Sequence, residues 1–229
     1  MFYNMSSIKY IYEAYDKNKL SRREYFINGV LTFVNDPLPK DVNLNAVKKR
    51  VESVVPKRLF HNLDYIYIGD FPELKLRDVQ SAYLRGAIYI SNEDQTEQKL
   101  FESIIHELAH SIETTFGGKI YEDDEIASEF VGKRKKLRTI LKNQGYEFKD
   151  STVFLRIEYN VEFDKFLYSE VGYDLLNQLT VGLFVSPYGA TSLREYFANG
   201  FEAYYLGDGE YLEKVSPKLS YKIKQLTSK

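Results

Sequence analysis

The sequence predicts an α+β fold: a small mixed sheet packed on one long helix, followed by a mostly helical C-terminal part. Three observations predict it. The pentad His106-Glu107-Leu108-Ala109-His110 lies within an apolar stripe of helical period. Residues 63–68 and 87–91 alternate in the manner of strands. Residues 193–205 place apolar side chains three and four apart.

The long helix comes first because it carries chemistry. Leu100, Phe101, Ile104, Ile105, Leu108 and Ile112 form its apolar stripe. The expected span is about residues 95–116, with Asp94 as cap, Glu97 completing a capping box, and Gly117-Gly118 ending the pattern. Positions i and i+4 share a helix face, so His106 and His110 can offer two imidazole nitrogens to one metal ion. Glu107, one position round, can reach a water on that metal. A HExxH pentad on a helix is a zinc signature because neutral imidazoles bind Zn²⁺ and a carboxylate can take the proton of the bound water. The chain has 3 histidines and the pentad uses two. His61 follows Leu59-Phe60 and reads as a structural or surface residue.

In chain order, Ile8, Ile11, Tyr12 and Tyr15 predict a short amphipathic helix over residues 7–17. Residues 22–34 fit a helix or a strand. Asp36-Pro37-Leu38-Pro39 is a turn. Asn43 or Asn45 caps a helix bearing Val47, Val51 and Val54 or Val55, stopped by Pro56. Residues 1–58 therefore read as an N-terminal helical extension, and residues 59–229 as the domain that holds the pentad. A strand over 63–68 closes at Gly69-Asp70. A second, Ala87-Ile88-Tyr89-Ile90-Ser91, is entered through Gly86, and Ala87, Ile88, Tyr89 and Ile90 are the expected backbone partners of an extended peptide. After the pentad helix, Glu122-Asp123-Asp124-Glu125 opens a helix whose basic run Lys133-Arg134-Lys135-Lys136 and Arg138 reads as a solvated face. Residues 160–183 predict one or two helices, and Ser186-Pro187-Tyr188-Gly189 a loop. The helix with Leu193, Tyr196, Phe197, Phe201 and Tyr204 is capped by Thr191 or Ser192 and stopped at Gly207-Asp208-Gly209; the tail adds one more amphipathic stretch.

Composition narrows the function classes. Net charge is −2, which makes no case for nucleic acid or an anionic membrane as partner. Cysteine is absent, which excludes disulfides and thiolate ligands. No stretch approaches the ~20 apolar residues of a membrane span, and the first thirty residues hold no signal-peptide core. Ser21-Arg22-Arg23-Glu24-Tyr25-Phe26 resembles a twin-arginine export signal only by coincidence, because the apolar run after it breaks at Asn28-Gly29. The default location is cytoplasmic, and the expected state is a monomer.

A catalytic zinc site takes a third protein ligand and leaves one position open. Two carboxylates compete. Glu129 follows His110 after eighteen intervening residues. Glu195 lies 85 positions beyond His110, on the clean amphipathic helix, sharing a stripe with Asn199 and Glu202. Asn199 is placed to accept a hydrogen bond from the second nitrogen of a zinc histidine. Spacing does not separate the two.

The stretch Ser186-Pro187-Tyr188-Gly189-Ala190-Thr191, followed by Glu195-Tyr196-Phe197-Ala198-Asn199-Gly200-Phe201, resembles the catalytic domain of anthrax lethal factor and the related Pro-Pro endopeptidases. In that family a tyrosine stands seven residues before the glutamate ligand, as Tyr188 stands before Glu195. His106, Glu107 and His110 match its HExxH. The resemblance covers roughly residues 60–205. It implies a zincin-like metalloprotease fold with one Zn²⁺ held by His106, His110 and Glu195. It further implies Glu107 as general base, Tyr188 as donor to the oxyanion, and a protein or peptide as substrate. Asn199 departs from the acidic residue usual there, and residues 146–185 are an excess over the family's spacing. The family includes toxins and secreted enzymes, so export or delivery as a toxin also fits. Two other classes stay open: a zinc-bound structural or interaction module without proteolysis, and a zinc aminopeptidase using Glu129.

Overall fold

The computed structural model describes residues 23–228; the helix expected over 7–17 lies outside them. The described chain begins with strand rather than helix. β1 (Arg23–Ile27) and β2 (Val30–Val34) form an antiparallel hairpin. Its two-residue turn is Asn28-Gly29, both at positive φ (49° and 89°), the turn whose twist matches paired strands. The helical layer expected over the first 58 residues is thereby corrected for residues 23–34. β1 and β2 share a sheet with the later strands, so a boundary after residue 58 would cut through one sheet.

α1 (Leu44–Val54) follows, with the Asn43 side chain accepting from Asn45 and Ala46 N–H at 3.1 and 3.3 Å. β3 (Tyr65–Gly69), the short α2 (Pro72–Leu76), β4 (Ser81–Leu84) and β5 (Ala87–Ser91) complete a five-stranded sheet of order β1-β2-β3-β5-β4. The central pairs β2–β3 and β3–β5 are parallel, and the outer pairs are antiparallel. β4 escaped the sequence reading because four residues give too short an alternation. Its turn, Arg85-Gly86 at φ 50° and 85°, repeats the geometry of the first hairpin.

The two faces of the sheet differ because side chains alternate. Ile66, Ile68, Ile88 and Ile90 are fully buried on one face. Phe33, Tyr67 and Tyr89 stack across three strands on the other, with centroids 5.3 and 5.2 Å apart. The buried face meets α3 (Glu97–Tyr121), the pentad helix, whose Leu100, Phe101, Ile104, Ile105 and Leu108 are also fully buried. Thr96, rather than Asp94, caps this helix, accepting from Lys99 N–H at 3.1 Å; Glu97 accepts instead from Asn43 N–H. The helix continues through Gly117-Gly118 to Tyr121, past its expected end. Two glycines cost helix stability without forbidding it, and Ile120 beyond them is fully buried.

The chain divides into two compact units, up to Leu108 and from Ala109, with α3 running unbroken through the division. The first holds the sheet. The second is helical: the rest of α3, α4 (Glu125–Asn143), α5 (Val161–Lys165), a π-helical turn over Phe166–Val171, α6 (Tyr173–Leu179), α7 (Leu193–Leu206), α8 (Gly209–Val215) and α9 (Pro217–Thr227). Its core joins Ile126, Phe130, Phe163, Phe184, Tyr196, Phe197 and Phe201. α7 and α9 approach so closely that a Cβ on Gly200 would overlap Leu219. Among the described residues no helix is long and apolar enough to cross a membrane.

The basic run on α4 is only partly the solvated face expected. Lys135, Lys136 and Arg138 are exposed, but Lys133 is 7 % exposed and Arg134 not at all. Lys133 donates to the Leu183 and Val215 carbonyls, and Arg134 to those of Arg156 and Thr191 at 3.3 Å, beside the rings of Phe130 and Phe163. Both are loop clamps. Burial pulls the Lys133 ammonium down to about 8. Between pH 8 and 10 the unfolded chain therefore holds this proton and the folded chain releases it, so stability rises with pH in that window. Above 10 the buried Tyr121 and Tyr196 hydroxyls, raised by burial, pull the other way. Chemical denaturation of metal-free protein from pH 7.5 to 10 is expected to show the rise in wild type and lose it in Lys133→Met.

Candidate active site

The site is assembled from two helices. On α3, His106 and His110 lie one turn apart with Glu107 between them in sequence. On α7, the Ser192 hydroxyl accepts from Glu195 N–H at 3.1 Å, so the same cap that starts the helix fixes Glu195 in its first turn. One ligand atom from each of His106, His110 and Glu195 lies within 4.8 Å of the others. His110 Nε2 and Glu195 Oε1 are 3.5 Å apart. Zinc bonds of about 2.0–2.1 Å at tetrahedral angles separate ligand atoms by about 3.3 Å. Two imidazoles and one carboxylate at this spacing are the donor set of a catalytic zinc site, and these residues fit the ion.

Glu129 has other work. It accepts from the Tyr196 hydroxyl at 2.8 Å and from the Lys218 and Leu219 N–H groups at 2.9 and 3.2 Å, closing the open N-terminus of α9. Of the two carboxylates that spacing left open, Glu195 is with the histidines, and the aminopeptidase arrangement loses its ligand.

Glu107 is 4 % exposed and accepts from the Ser81 hydroxyl at 2.8 Å. Ser81 begins β4, opposite Ile90 in the register, so it points from the sheet face that meets α3. The sequence reading missed it together with its strand. Ser81→Ala is expected to lower the catalytic rate by about 2- to 10-fold, the worth of one hydrogen bond of about 0.5–1.5 kcal/mol, with zinc content unchanged; kcat at saturating substrate is the check.

Ala87, Ile88, Tyr89 and Ile90 do not offer an edge. β5 is an inner strand, paired with β3 on one side and β4 on the other, so its backbone groups are already used. The edge of the sheet on this side is β4. This corrects the assignment of residues 87–90 as peptide partners.

Tyr188 sits half-buried in a 3₁₀ turn, Pro187–Ala190, that packs on α7. The Ser186 hydroxyl accepts from Tyr188 N–H, and the Thr191 hydroxyl donates to the Tyr188 carbonyl. α6 packs against the same turn, which brings Tyr173 of the 146–185 stretch into electrostatic reach of Tyr188. Asn199 is 7 % exposed and donates from Nδ2 to the Glu195 carbonyl at 2.8 Å. Two groups that face His110 Nδ1 are Arg194, whose Nε lies 3.0 Å away, and Glu113, whose Oε2 lies 3.7 Å away. Neither was singled out from sequence, although Glu113 stands at i+3 from His110 and Arg194 directly precedes Glu195. His61 is exposed, closing a 3₁₀ turn.

A mixed sheet on a HExxH helix, a mostly helical C-terminal region and a distant glutamate define a zincin-like α+β fold with a zincin-like metalloprotease site. No protein-family profile, curated protein or solved structure matches the chain.

Proposed function

We propose that the protein is a zinc-dependent endopeptidase of the lethal factor and Pro-Pro endopeptidase type, acting as a monomer on protein or peptide substrates. The observation that carries this reading is the convergence of His106, His110 and Glu195 within 4.8 Å, with Glu107 on the same helix. A purely structural zinc site has no use for that carboxylate. His106, His110 and Glu195 would hold one Zn²⁺, which would supply Lewis-acid polarisation of the scissile carbonyl and lower the pKa of a water. Glu107 would take a proton from the attacking water and pass it to the leaving amine. Tyr188 donates to the negative charge that develops on the carbonyl oxygen. Asn199 supports Glu195 through its carbonyl. The substrate backbone adds to the free edge of β4, beside Ser81 and Glu107, by main-chain hydrogen bonding. Residues 146–185, which reach the Tyr188 turn, select among substrates. Nucleic acid and membrane have no part in this reading.

The test is a diverse peptide library incubated with zinc-loaded protein, beside Glu107→Gln, with products read by mass spectrometry. Internal cuts by wild type alone are expected. Trimming from amino termini contradicts an endopeptidase. Zinc uptake without any cleavage, in peptides and in folded proteins, returns the site to a non-proteolytic module.

A further inference from the structure

We propose that Glu113 is the positioning residue that prepares His110 for the metal, and that Arg194 competes with it for the same ring nitrogen. The inference rests on the zinc-site reading and goes beyond it to how loading is controlled.

A neutral imidazole carries one proton, so a ring that gives Nε2 to a metal must hold its proton on Nδ1. His110 points Nε2 toward Glu195 Oε1. The groups at Nδ1 decide which tautomer is favoured. Arg194 can only donate, and its Nε lies 3.0 Å from Nδ1. That contact needs a lone pair on Nδ1 and so puts the proton on Nε2, where a metal would bind. Ionised Glu113 can only accept, and its Oε2 lies 3.7 Å from Nδ1. That contact needs the proton on Nδ1 and frees Nε2. The two groups therefore favour opposite tautomers of one ring. They also face each other, with Arg194 Nε 3.4 Å from Glu113 Oε2.

Their mobilities differ in the direction the inference requires. The Arg194 side chain is 51 % exposed and can turn to solvent, whereas that of Glu113 is 16 % exposed. The second Glu113 oxygen is tied down, since Oε1 accepts from the Tyr121 hydroxyl at 2.6 Å. Burial and the neighbouring carboxylate keep that hydroxyl protonated. A metal held at Nε2 would require the Nδ1–H tautomer of His110, the one that Glu113 favours. In that tautomer the Glu113 Oε2 would accept from Nδ1–H, and the Arg194 contact would be lost. A carboxylate behind a histidine ligand orients the ring and strengthens it as a base.

The test is a zinc titration of the metal-free full chain against a chromophoric chelator, for wild type, Glu113→Ala, Glu113→Gln and Arg194→Met. Cobalt(II) absorption reports ligand geometry, and thermal midpoints without metal report folding. Glu113→Ala is expected to weaken zinc about 10- to 100-fold and alter the cobalt spectrum. Glu113→Gln keeps an acceptor oxygen without the charge and should fall between. Arg194→Met should tighten zinc binding. Wild-type affinity in a folded Glu113→Ala overturns the inference, and so does weaker binding in Arg194→Met, which decides the matter even if the Glu113 variants fail to fold. These affinities are read without any peptide, so they stand apart from whether the protein is a peptidase. Wild type that takes up no zinc removes the site itself.

Discussion

Glu107→Gln is expected to bind zinc as wild type does and to lose peptide hydrolysis by about 10²- to 10⁴-fold, the range of a general base. The amide keeps the size of the side chain and an oxygen for the Ser81 hydroxyl, 2.8 Å away in the native site. What it cannot do is take a proton. The measurement pairs kcat/KM on a cleaved library peptide with metal content after dialysis. Equal loss of zinc and activity would mean that Glu107 holds the site together rather than performing a step. Retained activity would remove it from the chemistry.

The second large effect separates the two carboxylates that spacing alone could not rank. Glu195→Ala is expected to weaken zinc by more than about 100-fold, beyond the 10–100-fold typical of an outer partner, while the metal-free fold is little changed. Glu129→Ala is expected to do the reverse. It leaves zinc affinity at the wild-type value and destabilises the fold by about 2–3 kcal/mol, because a buried Tyr196 hydroxyl and two helix N–H groups lose their acceptor. Isothermal titration with zinc and urea denaturation, run on both variants, read the crossed pattern. Zinc loss in Glu129→Ala with zinc retained in Glu195→Ala would exchange their roles.

What the sequence made legible followed from how local each signal is. His106, Glu107 and His110 are fixed by one helix turn within an apolar stripe of helical period. Helix α1 with its Asn43 cap and helix α7 with Ser192 and Gly207 were likewise readable, because caps and periodicity act within a few residues. The first hairpin was missed although Asn28-Gly29 is a strong local turn signal. Five-residue strands around it fit helical and strand periods equally well. β4 was missed for its length. That error carried into the site, since β5 looks like the edge only when β4 is absent. The burial of Lys133 and Arg134 was invisible because their partners, the carbonyls of residues 156, 183, 191 and 215, are distant in sequence and carry no side-chain signature. Glu113 was hidden for the opposite reason. An acidic residue at i+3 on a helix is ordinary, and only the approach of Arg194 from a helix some 80 residues on gives it meaning.

The two borders of the sheet are guarded differently. β1 ends it on one side with Arg23 and Glu24, charges that discourage another strand from docking. β4 ends it on the other with Ser81-Ala82-Tyr83-Leu84, which has no charge, and Leu84 is 44 % exposed. Among the described residues no further strand pairs with β4, so its border is open to the same border of a second molecule. The four-residue length of β4 limits that encounter. At high concentration the β4 border is one place where self-association is expected, and a peptide paired there would block it.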